Sequence, residues 1–566
     1  MKLSYCHRGG EIPLLGETIA GRFLAIVDQH PQLEAIVSMQ QQRRLSYREL
    51  SQAVDQVACG LIALGFNSGD RIGIWSTNNI EWFQVQLACA RIGAVLVNIN
   101  PAYRPAELAY ALKHSELHGL ITIPAFRSSH YADMLQELLP ELSHPASPAL
   151  NSTEFPLLRH VILFDPKRPM ATASPAAGFV TWQTLIAAGE QIDAAALELC
   201  TATVDIDDAT NIQYTSGTTG SPKAVVLTHH NLLNNAWFAA QAMQMTHADR
   251  LCVSVPFYHC FGTVLSNLVT VSVGATLVLP AEHFDPLAVL QTIEQEKCTV
   301  LHGVPTMFIA EIDHPQFAEF DMQSLRTGIM AGAPCPPPLL TRVMEQMHCA
   351  EILVGYGETE ASPLTHLTDR NDSFERRTET VGTNLPHQEV KIVDVESHAT
   401  LPVGEIGEIC FRGYHVMAGY YGDAEATAEA INPHGWLYSG DLGTMDAEGY
   451  VKITGRCKEM LIRGGENIYP REIEEVIFAH PQVVEVAVFG VPDDYFGEEV
   501  AAWVKLKQGS TTTADELTDY CREHLAHFKI PKIIRFVTDF PMTVTGKLQK
   551  FEMQAVETAE QQTKKY

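Results

Sequence analysis

Tyr214-Thr215-Ser216-Gly217-Thr218-Thr219-Gly220-Ser221-Pro222-Lys223 is a loop of small and hydroxylated residues closed by one lysine. A polar, acidic approach from Asp205 to Asn211 leads into it, and an apolar run from Ala224 to Leu227 follows. Small residues let a backbone approach an anion closely, and successive N–H groups can form an anion-binding nest. The hydroxyls add donors and Lys223 adds a positive charge, which together suit a polyphosphate. The spacing GxxxxGK[ST] is absent, so this is not the P-loop pattern. A flexible Ser/Thr/Gly linker is the bland alternative, but linkers rarely sit between two strand-like apolar runs.

Outward from this loop, helical patterns alternate with short apolar runs from about Tyr47 to Leu353. Ile72–Trp75, Ala94–Val97, Gly119–Ile123, Val161–Phe164, Leu251–Val255, Thr276–Leu279, Thr299–Leu301 and Leu325–Met330 read as strands. Asp285-Pro286 reads as a helix start, with Asp as N-cap and Pro at the first helical position. Such alternation predicts an α/β fold with a largely parallel sheet buried on both faces. Active sites in these sheets lie outside the carboxyl ends of the strands, where the Thr215 loop is expected. No GxGxxG dinucleotide fingerprint is present.

Leu251 to Ala281 carries no Asp, Glu, Lys or Arg and is long enough to cross a bilayer. Pro256, His259, Gly262, Asn267 and Gly274 interrupt it, so strand, apolar helix and strand in a buried core is the expectation, with no transmembrane segment. His144 to Thr181, rich in Pro, Ala, Ser and Thr, reads as a surface excursion. After about Arg456 the character changes. Met460–Ile462, Val483–Val491, Val500–Leu506 and Ile533–Val537 read as strands, with amphipathic helices at Pro470–Ala479 and Thr513–Leu525. The expected fold is therefore α/β. A large N-terminal domain, residues 1–456, has parallel and mixed sheets with flanking helices, and a small mobile α+β C-terminal domain, residues 457–566, follows it.

The chain's 566 residues exceed one hydrophobic core. Its formal net charge of −28 argues against a nucleic-acid partner, which needs a basic footprint, and against docking on anionic lipid. Anionic small molecules stay open, because local lysines and a bound cation can dominate a site. Twelve cysteines are scattered with no CxxC pair and no Cys/His cluster, as in a reduced cytoplasmic protein without a zinc site. Met1 to Pro13 has no apolar core of a signal peptide.

Four further words carry chemistry. Gly355-Tyr356-Gly357-Glu358-Thr359-Glu360 follows a strand at Glu351–Val354 and offers an aromatic for a base, a hydroxyl for a phosphate and a carboxylate for Mg2+. Tyr438-Ser439-Gly440-Asp441-Leu442-Gly443 offers a carboxylate able to accept two O–H donors, although a plain turn also suits Ser-Gly-Asp. Arg463-Gly464-Gly465-Glu466-Asn467-Ile468 reads equally as a hairpin turn. Pro541-Met542-Thr543-Val544-Thr545-Gly546-Lys547 places one lysine in the last apparent loop.

Taken together and in this order, these words resemble the core motifs of the adenylate-forming superfamily: acyl-CoA synthetases, peptide-synthetase adenylation domains and firefly-type luciferases. The resemblance implies the following roles. Thr215, Ser216, Gly217, Thr218, Thr219, Gly220 and Lys223 cradle the ATP phosphates. Gly332, Ala333 and Pro334 line the adenine and acyl pocket, Tyr356 lies against adenine, Thr359 meets the α-phosphate and Glu360 binds Mg2+. Glu358 departs from the family, which more often has an uncharged residue there. Asp441 and Arg456 hold the ribose, Lys458 is the domain hinge, Gly464 and Gly465 border the CoA tunnel, and Lys547 is the catalytic lysine. Losing such a transition-state contact costs about 2.7–4 kcal/mol. His259, in Pro256-Phe257-Tyr258-His259-Cys260-Phe261-Gly262, falls at the acyl pocket, although a His among aromatics is often a satisfied core residue.

Asn98-Ile99-Asn100-Pro101-Ala102-Tyr103, Phe257-Tyr258-His259-Cys260 and Gly464-Gly465-Glu466-Asn467-Ile468-Tyr469-Pro470 look closest to the medium-chain fatty acyl-CoA synthetase branch. The implied function is an ATP- and Mg2+-dependent acid–CoA ligase in the cytoplasm, acting on small molecules and with a homodimer among its expected states. The rivals are an aryl-CoA ligase, a carrier-protein-loading enzyme, a luciferase-like oxygenase and a catalytically inactive nucleotide-binding regulator.

Overall fold

Buried, β-branched strands stacked in parallel form the two largest sheets of this chain, in a computed structural model that describes residues 2–143, 149–168, 178–215, 222–463, 466–493, 495–542 and 548–564. Contacts divide the chain into two units. One comprises His7–Glu389 and Phe411–Leu437; the other comprises Met1–Cys6, Val390–Cys410 and Tyr438–Tyr566.

In the larger unit, the first sheet runs in the order Val180–Thr181, His160–Leu163, Gly119–Thr122, Arg71–Trp75, Val95–Ile99, Ala209–Thr215, Lys223–Thr228, Gly419–Tyr420. Neighbours are parallel up to Ala209–Thr215, which then turns back antiparallel into Lys223–Thr228. The second sheet is parallel from Glu351–Gly357 through Thr327–Met330, Val300–His302, Arg250–Val253 and Thr276–Leu279 to Glu34–Ser38. Antiparallel strands flank both its ends. Its core packs Cys252, Val278, Leu301, Met330 and Ile352 against Leu290, Ile293, Leu340 and Val343 of helices Pro286–Glu296 and Pro337–Gln346. Asp285 caps the first of these by accepting the Ala288 N–H, as its sequence predicts.

The run Leu251 to Ala281 is strand, helix and strand, and no helix among the described residues is long and apolar enough to cross a membrane. One feature of it is absent from the sequence pattern: a π-helical turn, Thr263–Leu268, sits between the α-helical pieces Cys260–Gly262 and Val269–Val273. Within the stretch from His144 to Thr181, the strand expected at Val161–Phe164 is found at His160–Leu163 and is buried.

A five-stranded sheet, most of whose residues belong to the smaller unit, has the order Tyr5–Arg8, Gln388–Val393, Gly407–Gly413, Leu437–Met445, Val451–Arg456. A second sheet follows from Leu461. Along Val486–Val491 and Val500–Val504, successive residues of strands Val483–Asp493 and Gly497–Leu506 face opposite sides, past a register shift near Val483. Val486, Val488, Val500, Ala502 and Val504 face one core with Ile473, Ile477 and Leu517. Ala487, Phe489, Val491, Ala501 and Trp503 face another with Phe540 and Met553. Met553 belongs to helix Lys550–Lys564, an element the sequence reading does not include.

Candidate active site

Each candidate segment of the larger unit leaves the carboxyl end of a parallel strand. Pro256 to His259 follow Arg250–Val253, Gly332 follows Thr327–Met330, and Thr359 and Glu360 follow Glu351–Gly357. Thr215 ends a strand that runs parallel to Val95–Ile99. Backbone N–H groups and side chains therefore converge from several connections, which is where such sheets bind ligands.

Residues 216–221 lie outside the described residues, including Ser216, Gly217, Thr218, Thr219 and Gly220. The two stems of their loop are described. Thr215 pairs with Lys223, and its Oγ1 donates to the Lys223 carbonyl at 3.5 Å. Helix Pro105–His114 holds both stems. Tyr110 donates its hydroxyl to the Pro222 carbonyl at 3.1 Å, and Tyr214 donates its own to the Ala111 carbonyl at 3.3 Å.

Glu360 lies half-buried in a short turn, Thr359–Ala361. Its Oε1 accepts the Tyr420 hydroxyl at 2.9 Å. The Tyr420 ring in turn lies under Lys223, with Nζ 4.6 Å from its centroid. Burial, followed by the Glu360 carboxylate, pushes the Tyr420 phenol well above its ordinary value, so the phenol stays a donor. Gly357 cannot be larger in this turn: a Cβ there would lie 1.9 Å from the Pro363 carbonyl oxygen. Among the described residues no cluster of three or more His, Cys, Asp or Glu side chains could hold a metal. A lone carboxylate fits Mg2+ nonetheless, because this ion commonly takes one or two carboxylates and fills its shell with water and substrate phosphate.

Tyr356 is half-buried, with its ring centroid 6.0 Å from His366 and 6.2 Å from Phe411. Gly332 has φ +86°, a conformation suited to glycine, and Ala333 and Pro334 are exposed beside it. His259 caps its helix: Nδ1 accepts the Phe261 N–H at 3.2 Å, which puts the neutral ring's proton on Nε2. The neighbouring Cys260 Sγ lies 3.6 Å from that Nδ1 and 3.7 Å from Thr359 Oγ1, so the His259 loop reaches the Thr359 turn. Asn98 fixes this loop by donating to the Tyr258 carbonyl at 3.1 Å and to Thr263 Oγ1 at 2.8 Å. Its Oδ1 accepts from Asn211, and Asn211 Oδ1 accepts from Gln213, two residues before Thr215. A chain of buried amides thus runs from strand Ala209–Thr215 to the His259 loop.

In the smaller unit, Asp441 and Arg456 sit opposite each other in register on strands Leu437–Met445 and Val451–Arg456. Asp441 is buried and its Oδ1 lies 3.0 Å from Arg456 Nε. The segment is a strand and not a turn. Its tight point is Gly440, with φ +70°, whose N–H donates to Glu408 at 2.9 Å. Lys458 is exposed on the turn Cys457–Glu459 that follows. Strands Leu461–Arg463 and Glu466–Ile468 form a hairpin with Arg463 opposite Glu466. Its Gly464 and Gly465, like Lys547, lie outside the described residues.

Tyr420, Asn98, Asn211 and Gln213 are the participants absent from the sequence's list of site residues. Tyr420 follows a glycine in an ordinary aromatic pair, and nothing local tells that its partners lie near positions 223 and 360.

Comparison with known proteins places the chain in a family. A family model described as AMP-binding enzyme matches residues 23–421, and one described as AMP-binding enzyme C-terminal domain matches residues 472–547. YngI of Bacillus subtilis, whose name assigns it provisionally to the acyl-CoA synthetases, is 48% identical over 540 residues, 95% of this chain and 97% of its own. The zebrafish mitochondrial medium-chain acyl-CoA ligase ACSF2 is 40% identical over 97% of this chain and 90% of its own length. Among solved structures, ATP-bound MatB from Rhodopseudomonas palustris superposes with a TM-score of 0.81 at 28% identity, covering 95% of this chain and 99% of that one.

Proposed function

This chain belongs to the AMP-binding enzyme family, the adenylate-forming superfamily, and we propose that the acid it activates is a medium-chain fatty acid. The enzyme is an ATP-dependent, AMP-forming acid–CoA ligase, and the family relationship does not favour the other rivals. Relatives named medium-chain acyl-CoA ligase support the choice of acid, as does the apolar helix Cys260–Val273 beside the His259 loop. Each buried CH2 contributes about 0.8 kcal/mol to binding.

In the first half-reaction a carboxylate oxygen attacks the α-phosphorus of ATP. The bond to the bridging oxygen breaks, and pyrophosphate leaves with the electron pair. In the second, the CoA thiolate attacks the acyl carbonyl, the carbon–oxygen bond breaks, and AMP departs with the former carboxylate oxygen. The observation that carries this reading is the grouping of Lys223, Tyr420 and Glu360 at the strand ends next to Thr215. Lys223 and the hydroxyl loop would bind the β- and γ-phosphates, Thr359 the α-phosphate, and Asp441 and Arg456 the ribose. Glu360 would hold the Mg2+, which when bound offsets phosphate charge. Tyr356, with Gly332, Ala333 and Pro334, would receive the adenine.

Lys547 and the Gly464-Gly465 loop would serve the first and second half-reactions in turn, with the functional boundary at Arg456/Cys457 and Lys458 as the hinge. A hinge residue that stays solvated can absorb backbone rotation, and Lys458 is exposed. A cytoplasmic location is part of the proposal and is supported by twelve free thiols.

The test is a panel of acids from acetate to stearate, plus benzoates, with ATP, Mg2+ and CoA, measuring AMP and thioester. Medium-chain acids are expected to give the highest kcat/KM, although one methylene changes it only by about 10–200-fold. Benzoates outrunning every aliphatic acid would replace the fatty acid with an aryl one.

A further inference from the structure

The segment Met417 to Tyr421 ties together two charges that the motifs treat separately. The Met417 N–H donates to the Glu360 carbonyl at 2.9 Å, and the Ala418 N–H to the Val226 carbonyl at 3.0 Å. Gly419 and Tyr420 pair with Val226 and Val225, and the Tyr421 N–H donates to the Ala224 carbonyl at 2.8 Å. One short stretch therefore splints the turn that carries Glu360 to the strand that starts at Lys223. Gly419 has φ +144°, and a Cβ there would meet the Thr427 Cγ2 at 2.8 Å. Thr427 Oγ1 in turn accepts the Tyr420 N–H at 2.9 Å.

This backbone places the Tyr420 side chain between an ammonium and a carboxylate. Left to themselves, these opposite charges attract and would neutralise each other in a direct pair. Tyr420 satisfies each separately. Its hydroxyl donates to Glu360 Oε1 at 2.9 Å, and its ring face takes the Lys223 ammonium 4.6 Å from the centroid. Among the described residues no ion pair joins Lys223 to Glu360. Binding a polyphosphate with its divalent cation requires the lysine for the anion and the carboxylate for the cation, so a lysine and glutamate paired to each other would be spent.

Building on the ATP-dependent reading, we infer that Tyr420 is a positioning residue that keeps Lys223 and Glu360 apart and aimed at the phosphates and Mg2+ of ATP. AMP lacks the phosphates these groups serve, so its affinity does not depend on Tyr420. Calorimetric titration of the full-length protein with Mg·ATP and, separately, with AMP measures the difference. Tyr420→Phe keeps the ring and loses the donor, and is expected to weaken Mg·ATP about 10-fold while AMP stays within about twofold. Tyr420→Leu loses the ring as well and is expected to weaken Mg·ATP about 50-fold, so that Phe restores part of the loss. The Mg2+ concentration that half-saturates ATP binding rises in both variants. Equal weakening of ATP and AMP in Tyr420→Phe would mean a merely structural role and overturn the inference. So would unchanged Mg·ATP affinity in that variant. A wild-type protein that bound neither nucleotide would instead overturn the ATP-dependent reading, and this inference with it.

Discussion

Asp441 is a buried carboxylate whose direction is fixed by its own fold. It is held in register against Arg456 at 3.0 Å, and its own N–H is bonded to Ser439 Oγ at 3.0 Å, so its direction is set before any ligand arrives. If it holds a ribose, it contributes equally to ATP and AMP, unlike Tyr420. Asp441→Asn keeps the shape and removes the charge, and is expected to weaken both nucleotides by roughly 10–100-fold, the range of one hydrogen bond to a charged group. Equilibrium titration checks it, and a loss confined to ATP would contradict the ribose assignment. Thr359 and Glu360 could be picked out from the sequence because their motif is contiguous and follows a recognisable strand, whereas Asp441 lies inside a strand that the sequence reading does not name. Tyr420 could not, because its meaning lies in charges brought to it from positions 223 and 360 by folding.

The elements of the larger unit bury four histidines whose rings are held neutral. Burial lowers His229 to about 4, and His302, His366 and His415 to about 3. Below the ordinary value near 6.5 the unfolded chain takes up protons that the folded state refuses, so each ring makes stability fall as pH drops from about 6.5 towards its folded value. Buried Glu311 acts oppositely, since burial raises its carboxyl, and a comparison of one histidine with its replacement cancels that contribution. His415 is fully buried, and neither of its ring nitrogens has a hydrogen-bond partner among the described residues. Between pH 7.5 and pH 5 the stability difference between wild type and His415→Leu is expected to move about 2 kcal/mol in the variant's favour. Urea denaturation at the two pH values measures it, and a constant difference would contradict it. Elements were legible where local chemistry suffices, as at Asp285-Pro286, and the strands named from sequence were placed to within a few residues, whereas the sheet of Gln388–Val393, Gly407–Gly413, Leu437–Met445 and Val451–Arg456 was not named at all. The π-helical turn at Thr263–Leu268 was not legible, since polar contacts through Asn98 and Gln86 surround it. Nor was helix Lys550–Lys564, whose sequence is mostly charged and polar and whose apolar contact with the sheet passes through Met553.

At the scale of the molecule, chemistry-bearing residues fall in both units: Thr215, Lys223, Thr359 and Glu360 in one, and Asp441, Arg456 and Lys458 in the other. A reaction in two steps gives such a distribution a purpose, because phosphate binding is needed before pyrophosphate leaves and a thiol route is needed after. The sequence made this order of motifs visible. It could not show that strands Leu437–Met445 and Val451–Arg456 share a sheet with Gln388–Val393 and Gly407–Gly413, because that pairing is nonlocal. The central claim is that the acid is activated by joining its own oxygen to the α-phosphorus of ATP. Oxygen-18 in both carboxylate positions of a medium-chain acid tests it, with the released AMP analysed by mass spectrometry after one turnover with CoA. The account predicts AMP carrying one oxygen-18 in its phosphate and a thioester carrying the other. Unlabelled AMP, or label in inorganic phosphate, would contradict it.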